Sequence, residues 1–135
     1  MRCFPRKVEG GLVETLLDIF LVALGGGAGA VTRYMVEHAA AQRISAPFPY
    51  GILVANVVGS FLLGVLLGSV TGAWLVLLGV GYCGALTTYS TFAHDTMRLT
   101  EGGRMPVAVT NVVVSIIAGL LAVSAGLALG ALLSS

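Results

Sequence analysis

The sequence predicts an all-α membrane protein with four transmembrane helices per chain, the third broken mid-membrane, assembled as an antiparallel dual-topology dimer. Composition is the first observation behind that expectation. Of 135 residues, 57% are hydrophobic and 10% charged, and mean hydropathy is +0.99, far too apolar for an ordinary soluble domain. The second is the distribution of charge. No Asp, Glu, Lys, Arg or His falls between Tyr50 and Ala93 or between Met105 and Ser135, and each tract exceeds the roughly 20 residues that cross a hydrocarbon core. The third is the stretch GYCGALTTYSTF, residues 81–92, which gathers hydroxyls and glycines where lipid offers backbone groups no partner.

Taken in order, the chain opens with a leader, residues 1–15. MRCFPRK resembles the basic start of a signal peptide, but Glu9, Glu14 and Asp18 interrupt what would be its apolar core and no cleavage site follows. The first apolar stretch is therefore expected to remain as a span, opening a four-helix membrane domain over 16–135. That span covers about 16–36, and the roughly 22 Å of helix between Asp18 and Arg33 leaves both charges near membrane edges. EHAAAQRISAPFPY, with two prolines, reads as the returning loop. A second span follows over 51–70.

GSVTGA is the one plausible turn inside the long uncharged tract, so a third span runs over 73–94 with Trp74 at the interface. MRLTEGGRMP reads as a charged loop, its proline suited to a first helical turn, and the fourth span covers 106–133. Small residues recur at helical spacing: Ser60, Gly64 and Gly68 on one span, Ala122, Gly126 and Gly130 on another. Such ridges let helices approach closely in lipid, where packing drives association. Cys3 and Cys83 are poorly placed to pair and read as thiols.

Four spans put Arg2, Arg6 and Lys7 on one side and Arg33, Arg43, Arg98 and Arg104 on the other. That is almost no positive-inside bias, so both orientations are expected, with two copies related by an axis in the membrane plane. Lipid and a second copy are the expected partners, and nucleic acid is not.

Within the polar stretch, Gly81 and Gly84 favour local unwinding, and the hydroxyls of Thr87, Thr88, Ser90 and Thr91 are able to satisfy freed backbone groups. A break there frees carbonyls for a cation. Tyr89 and Phe92 share one helical face, and their ring edges carry partial positive charge that suits a small anion. Asn56 adds an amide donor from the second span, and Asn111 with Ser115 forms a polar stripe on the fourth. The spans offer hydroxyls, amides and ring edges but no central carboxylate, lysine or histidine. Proton coupling and multivalent-cation binding lack their usual ligands, which leaves a neutral donor-lined route for a strongly hydrogen-bonding anion.

The segments GGGAGAVTRY, GILVANVVGSFLLG and GYCGALTTYSTF, in this order and spacing, resemble the Fluc/CrcB family of fluoride channels over nearly all the chain after Asp18. The resemblance implies a homodimer with two fluoride pores, passive export of fluoride from the cytoplasm across the inner (plasma) membrane, fluoride resistance, and a structural sodium ion (Na+) at the dimer interface. It implies that Tyr89 and Phe92 stand for the paired pore phenylalanines and Asn56 for the pore asparagine. Ser90, Thr91, Asn111 and Ser115 would contribute to the polar track. Arg33 would serve the aqueous vestibule, and the carbonyls of Gly84 and Thr87 would hold sodium.

Two departures stand out. GILVAN replaces the commoner GTLLVN, so Ile52 removes a hydroxyl one turn from Asn56, and Tyr89 replaces a phenylalanine. They motivate an alternative reading as a non-conducting or partner-requiring subunit of a heteromeric channel. A small proton-coupled multidrug exporter shares the size but wants a membrane-embedded carboxylate, which Glu14 and Asp18 do not supply. An enzyme is not expected, since no nucleophile, base and orienting acid come together inside these spans.

Overall fold

The computed structural model describes residues 11–135, and all regular structure among them is helical. Helix α1 spans Leu12–Arg43 and α2 spans Tyr50–Ser69. Helix α3 is wound as a π-helix over Leu75–Cys83 and runs into a single α-turn, Gly84–Leu86. After a short break come α4, Ser90–Glu101, and α5, Met105–Leu133. Four stretches are long and apolar enough to cross a membrane: Leu12–Arg43, Tyr50–Ser69, Leu75–Glu101 and Met105–Leu133. The chain is thus a multi-pass membrane protein. The leader's first ten residues, with Cys3, lie outside the described residues.

The expected spans are all present, and two reach further than their apolar cores. α1 continues past residue 36 to Arg43, because the Ala39–Ala41 run that read as loop is good helix-forming sequence. Only 44–49, holding both prolines, remains unwound. The third span likewise runs past His94 and Asp95 to Glu101, so MRLTE is helical rather than loop. Its hydroxyls assist: Thr96 and Thr100 each donate back to the carbonyl one turn earlier, at 2.8 and 3.0 Å. The chain then reverses over Gly102 and Gly103, and Gly103 at φ 72° is in the left-handed region that a side chain would resist. Gly72, at φ 67°, makes the corresponding reversal inside GSVTGA.

The two small-residue ridges pack against each other. At Gly126, an added Cβ would run into the Phe61 carbonyl oxygen and sit 3.0 Å from the Val65 nitrogen; Gly64 meets the backbone of Val123 and Leu127 in return. Helices α2 and α5 therefore touch backbone to backbone. α1 approaches α3 the same way, Gly25 and Gly29 lying under the carbonyls of Leu77 and Tyr82. These contacts form two tight pairs, α2 with α5 and α1 with α3, and the outer faces carry exposed leucines and valines that suit lipid. Cys83 is a buried free thiol on α3.

Candidate functional site

The third span is broken near its middle, but not at the glycines. Gly84 has φ −61° and ψ −35°, ordinary helical values, and Gly81 lies inside the π-wound segment. The chain leaves the helix at Thr87, where φ −77° and ψ 151° are extended, and resumes it at Ser90. Expected unwinding at Gly81 and Gly84 is thus displaced to Thr87–Tyr89. Both glycines are used for close packing or helical continuity. The β-branched, hydroxyl-bearing residues take the break because their side chains replace lost helical bonds.

Asn56 decides how that break is held. Thr88 donates its N–H to Asn56 Oδ1 at 2.8 Å, and Asn56 Nδ2 donates to the Thr88 carbonyl at 3.2 Å. One side chain on α2 thus pairs both backbone groups of a residue that is 9% exposed. A second amide hydrogen remains on Asn56. Sequence reasoning placed Asn56 correctly in the second span but did not single out Thr88 as its partner. The Thr88 hydroxyl shares a hydrogen bond with Ser90 Oγ at 3.2 Å and lies 3.4 Å from the Thr91 N–H that it accepts. Thr87 turns inward on its own helix, donating to the Cys83 carbonyl at 3.1 Å.

The clamp has a consequence for the carbonyls upstream. In a continuous helix the Thr88 N–H would bond the Gly84 carbonyl. Taken by Asn56, it leaves that oxygen only a long 3.5 Å approach from the Thr87 hydroxyl. Across the break, the Thr91 N–H goes to a hydroxyl, so the Thr87 carbonyl also loses its helical donor. Gly84 is exposed and Thr87 half-buried in the single chain.

Tyr89 and Phe92 do come together, their ring centroids 6.1 Å apart and tilted by 46°. The Tyr89 ring is 80% exposed, Phe92 is half-buried, and Ser90 is exposed beside them. Polar and aromatic groups at mid-span that open outward are ill-suited to lipid.

Asn111 is 1% exposed on α5. It donates to Thr96 Oγ1 at 3.0 Å and accepts from Ser115 Oγ at 3.4 Å. The expected stripe exists, and it bonds to α4 through Thr96, a residue sequence reasoning missed although it lies one turn after Phe92.

On the side of the 44–49 loop the helices enclose a cavity of about 700 Å³. Ile52 and Thr91 line it together with the ionisable side chains of Glu37, Asp95, Arg98 and Arg104. Arg33, expected in a vestibule, is one residue removed: it lies 3.7 Å from Glu37, which lines the cavity. None of the other four was expected at the site: Arg98 and Arg104 were read only as orientation charges, and the segments holding Glu37 and Arg98 read as loop. Among the described residues, neither Arg98 nor Arg104 has a carboxylate within ion-pair distance. The cavity is therefore a mixed-charge mouth whose two arginines are without an ion-pair partner among the described residues, and its lining includes Thr91, which follows the break.

Residues 20–127 match the family described as CrcB-like protein, Camphor Resistance (CrcB). Among curated relatives, the chain is 46% identical over 114 residues to the Fluoride-specific ion channel FluC 1 of Nocardia farcinica, covering 84% of this chain and 80% of that one. It is 44% identical over 104 residues to the Fluoride-specific ion channel FluC of Shewanella pealeana, covering 73% and 84% respectively. The corresponding protein of Bacteroides fragilis is 39% identical over 121 residues, covering 84% of this chain and 95% of that one.

Proposed function

We infer how this chain works from one premise: it belongs to the CrcB-like family, whose curated members are fluoride-specific ion channels. It is a fluoride channel and not an enzyme. The observation that carries the mechanism is the third span, broken at mid-membrane and held open by Asn56.

Fluoride enters at the wide mouth, where Arg98 and Arg104 favour an anion and the charged lining keeps water present. Beyond it, the ion exchanges water for neutral donors: the hydroxyls of Thr91 and Ser90, the remaining amide hydrogen of Asn56, and the ring edges of Tyr89 and Phe92. Asn111 and Ser115 on α5 stand behind these donors, bonded to each other and to Thr96. Neutral donors suit this ion because fluoride is the smallest halide and accepts the strongest hydrogen bonds. Chloride, larger and a weaker acceptor, recovers less of its hydration energy on the same route. Without a titrating group at the centre, movement is passive, and export follows the fluoride gradient out of the cytoplasm across the plasma membrane.

A second, inverted copy completes the structure. Gly84, Tyr89 and Ser90 are exposed on one chain, and polar groups at that depth need protein rather than lipid across from them. An antiparallel partner covers them and provides two pores. The Gly84 and Thr87 carbonyls, both deprived of helical donors, would hold a sodium ion. When bound, the ion supplies positive charge close to the anion route and offsets repulsion among those oxygens.

Expression in a fluoride-sensitive bacterium lacking its own exporter tests the reading. Growth in millimolar fluoride is expected; failure to grow with the protein present in the membrane would contradict it.

A further inference from the structure

Helix α4 carries Phe92 but is severed from α3 by the break, so something other than helical continuity must fix its rotation. The polar bonds between α4 and α5 supply a candidate. Thr96 Oγ1 donates to the Phe92 carbonyl at 2.8 Å, which commits its only hydrogen. Towards Asn111 it must therefore accept, so the amide nitrogen of Asn111 faces it, at 3.0 Å. That orientation turns Asn111 Oδ1 away, towards Ser115, which must donate, at 3.4 Å. The direction of every hydrogen follows from the first bond: Ser115 to Asn111 to Thr96 to the Phe92 backbone. With Asn111 at 1% exposure, this order has no cheap alternative.

We propose that Thr96 and Asn111 form a positioning pair that sets the rotation of α4 and thereby aims the Phe92 ring. The inference rests on the channel reading above and changes the role of the α5 stripe. In this arrangement the Ser115 hydrogen and one Asn111 hydrogen are spent on the relay rather than offered to an anion. Thr96 touches no ion; it acts through the backbone of Phe92.

The test compares the wild type with Thr96→Val, which keeps the side chain's shape and removes the hydroxyl, and Thr96→Ser, which keeps the hydroxyl. Each is purified as an intact assembly by size exclusion, reconstituted into liposomes, and assayed for fluoride efflux. Thr96→Val is expected to lose about three- to tenfold in flux, the range set by one neutral hydrogen bond when it governs a population. Thr96→Ser is expected to stay near wild type. In parallel, para-fluorophenylalanine placed at position 92 reports the ring by fluorine NMR. A second resonance is expected in Thr96→Val alone. Should the valine variant aggregate, Thr96→Ala takes its place in both assays.

Unchanged flux with a single unchanged resonance in Thr96→Val would overturn the inference. So would equal losses in Thr96→Val and Thr96→Ser, which would assign the effect to packing at this position rather than to the hydroxyl. A wild type that holds its fluoride would instead sink the channel reading, and the NMR comparison would still decide whether the pair positions Phe92.

Discussion

Replacing Asn56 by leucine removes the clamp while roughly keeping side-chain volume. Two backbone groups of Thr88 then lose their partners: an N–H that donates at 2.8 Å and a carbonyl that accepts at 3.2 Å. Thr88 is 9% exposed, so water does not reach them freely. Each orphaned group costs about 1–3 kcal/mol, or about 2–6 kcal/mol together. Side-chain bonds between membrane helices average only about 0.6 kcal/mol, because separated helices find other partners. That lower figure does not apply here, since the Gly84 carbonyl, the Thr88 N–H's own helical acceptor, is out of register at the break. Thermal unfolding in detergent should show Asn56→Leu destabilised well beyond the lower figure, with fluoride flux lost.

Asn56→Asp sharpens the argument. Ionised, the introduced carboxyl accepts from the Thr88 N–H but meets the Thr88 carbonyl with a lone pair. Protonated, it restores both bonds. With only one of the two bonds kept by the ionised form, Asn56→Asp should melt below wild type at neutral pH. An Asn56→Leu protein that melts within about 0.6 kcal/mol of wild type would refute the clamp.

Other consequences are open to the same methods. Gly126→Ala forces a methyl group into the Phe61 carbonyl and should destabilise by about 1–3 kcal/mol, whereas Gly119→Ala, whose nearest neighbour is Ser60 Oγ at 3.9 Å, should be near neutral in the same melt. Ile52→Thr places a hydroxyl in the cavity lining one turn from Asn56, and about two- to tenfold faster fluoride efflux is expected if desolvation there limits the rate. Arg98→Gln and Arg104→Gln should slow efflux at low ionic strength, the deficit fading by about 0.15 M salt, where the screening length is about 8 Å; a deficit independent of salt would assign these arginines a role other than attraction.

Much of this molecule was legible in its sequence, for physical reasons. Uncharged tracts of sufficient length have one fate in lipid, so four spans followed directly, and the ridges at Gly64 and Gly126 anticipated close helix approach, though not that α2 and α5 would be each other's partner. Span ends were less legible, because hydropathy marks where lipid stops and not where the helix stops. Ala39–Ala41 and Met97–Glu101 continue their helices beyond the apolar stretches. The break was expected, yet its position was misplaced to the glycines. Glycine permits unwinding, but the tight approach at Gly25, Gly29 and Gly81 requires those residues for packing, while Asn56 supplies a partner only at Thr88. The same limit hid Thr96 and the mouth residues, which gain meaning from helices distant in sequence. Tyr89, Phe92, Asn56 and Asn111 were visible because polar or aromatic groups inside a greasy span need a reason to be there.

The central claim is that neutral donors around a clamped break carry fluoride and reject chloride. Liposomes loaded with both potassium salts and containing the purified protein, followed with fluoride and chloride electrodes after the proton and potassium leaks are opened, test it most directly. The account predicts rapid loss of fluoride with chloride retained. Retained fluoride, or both halides escaping at the same rate, would contradict it.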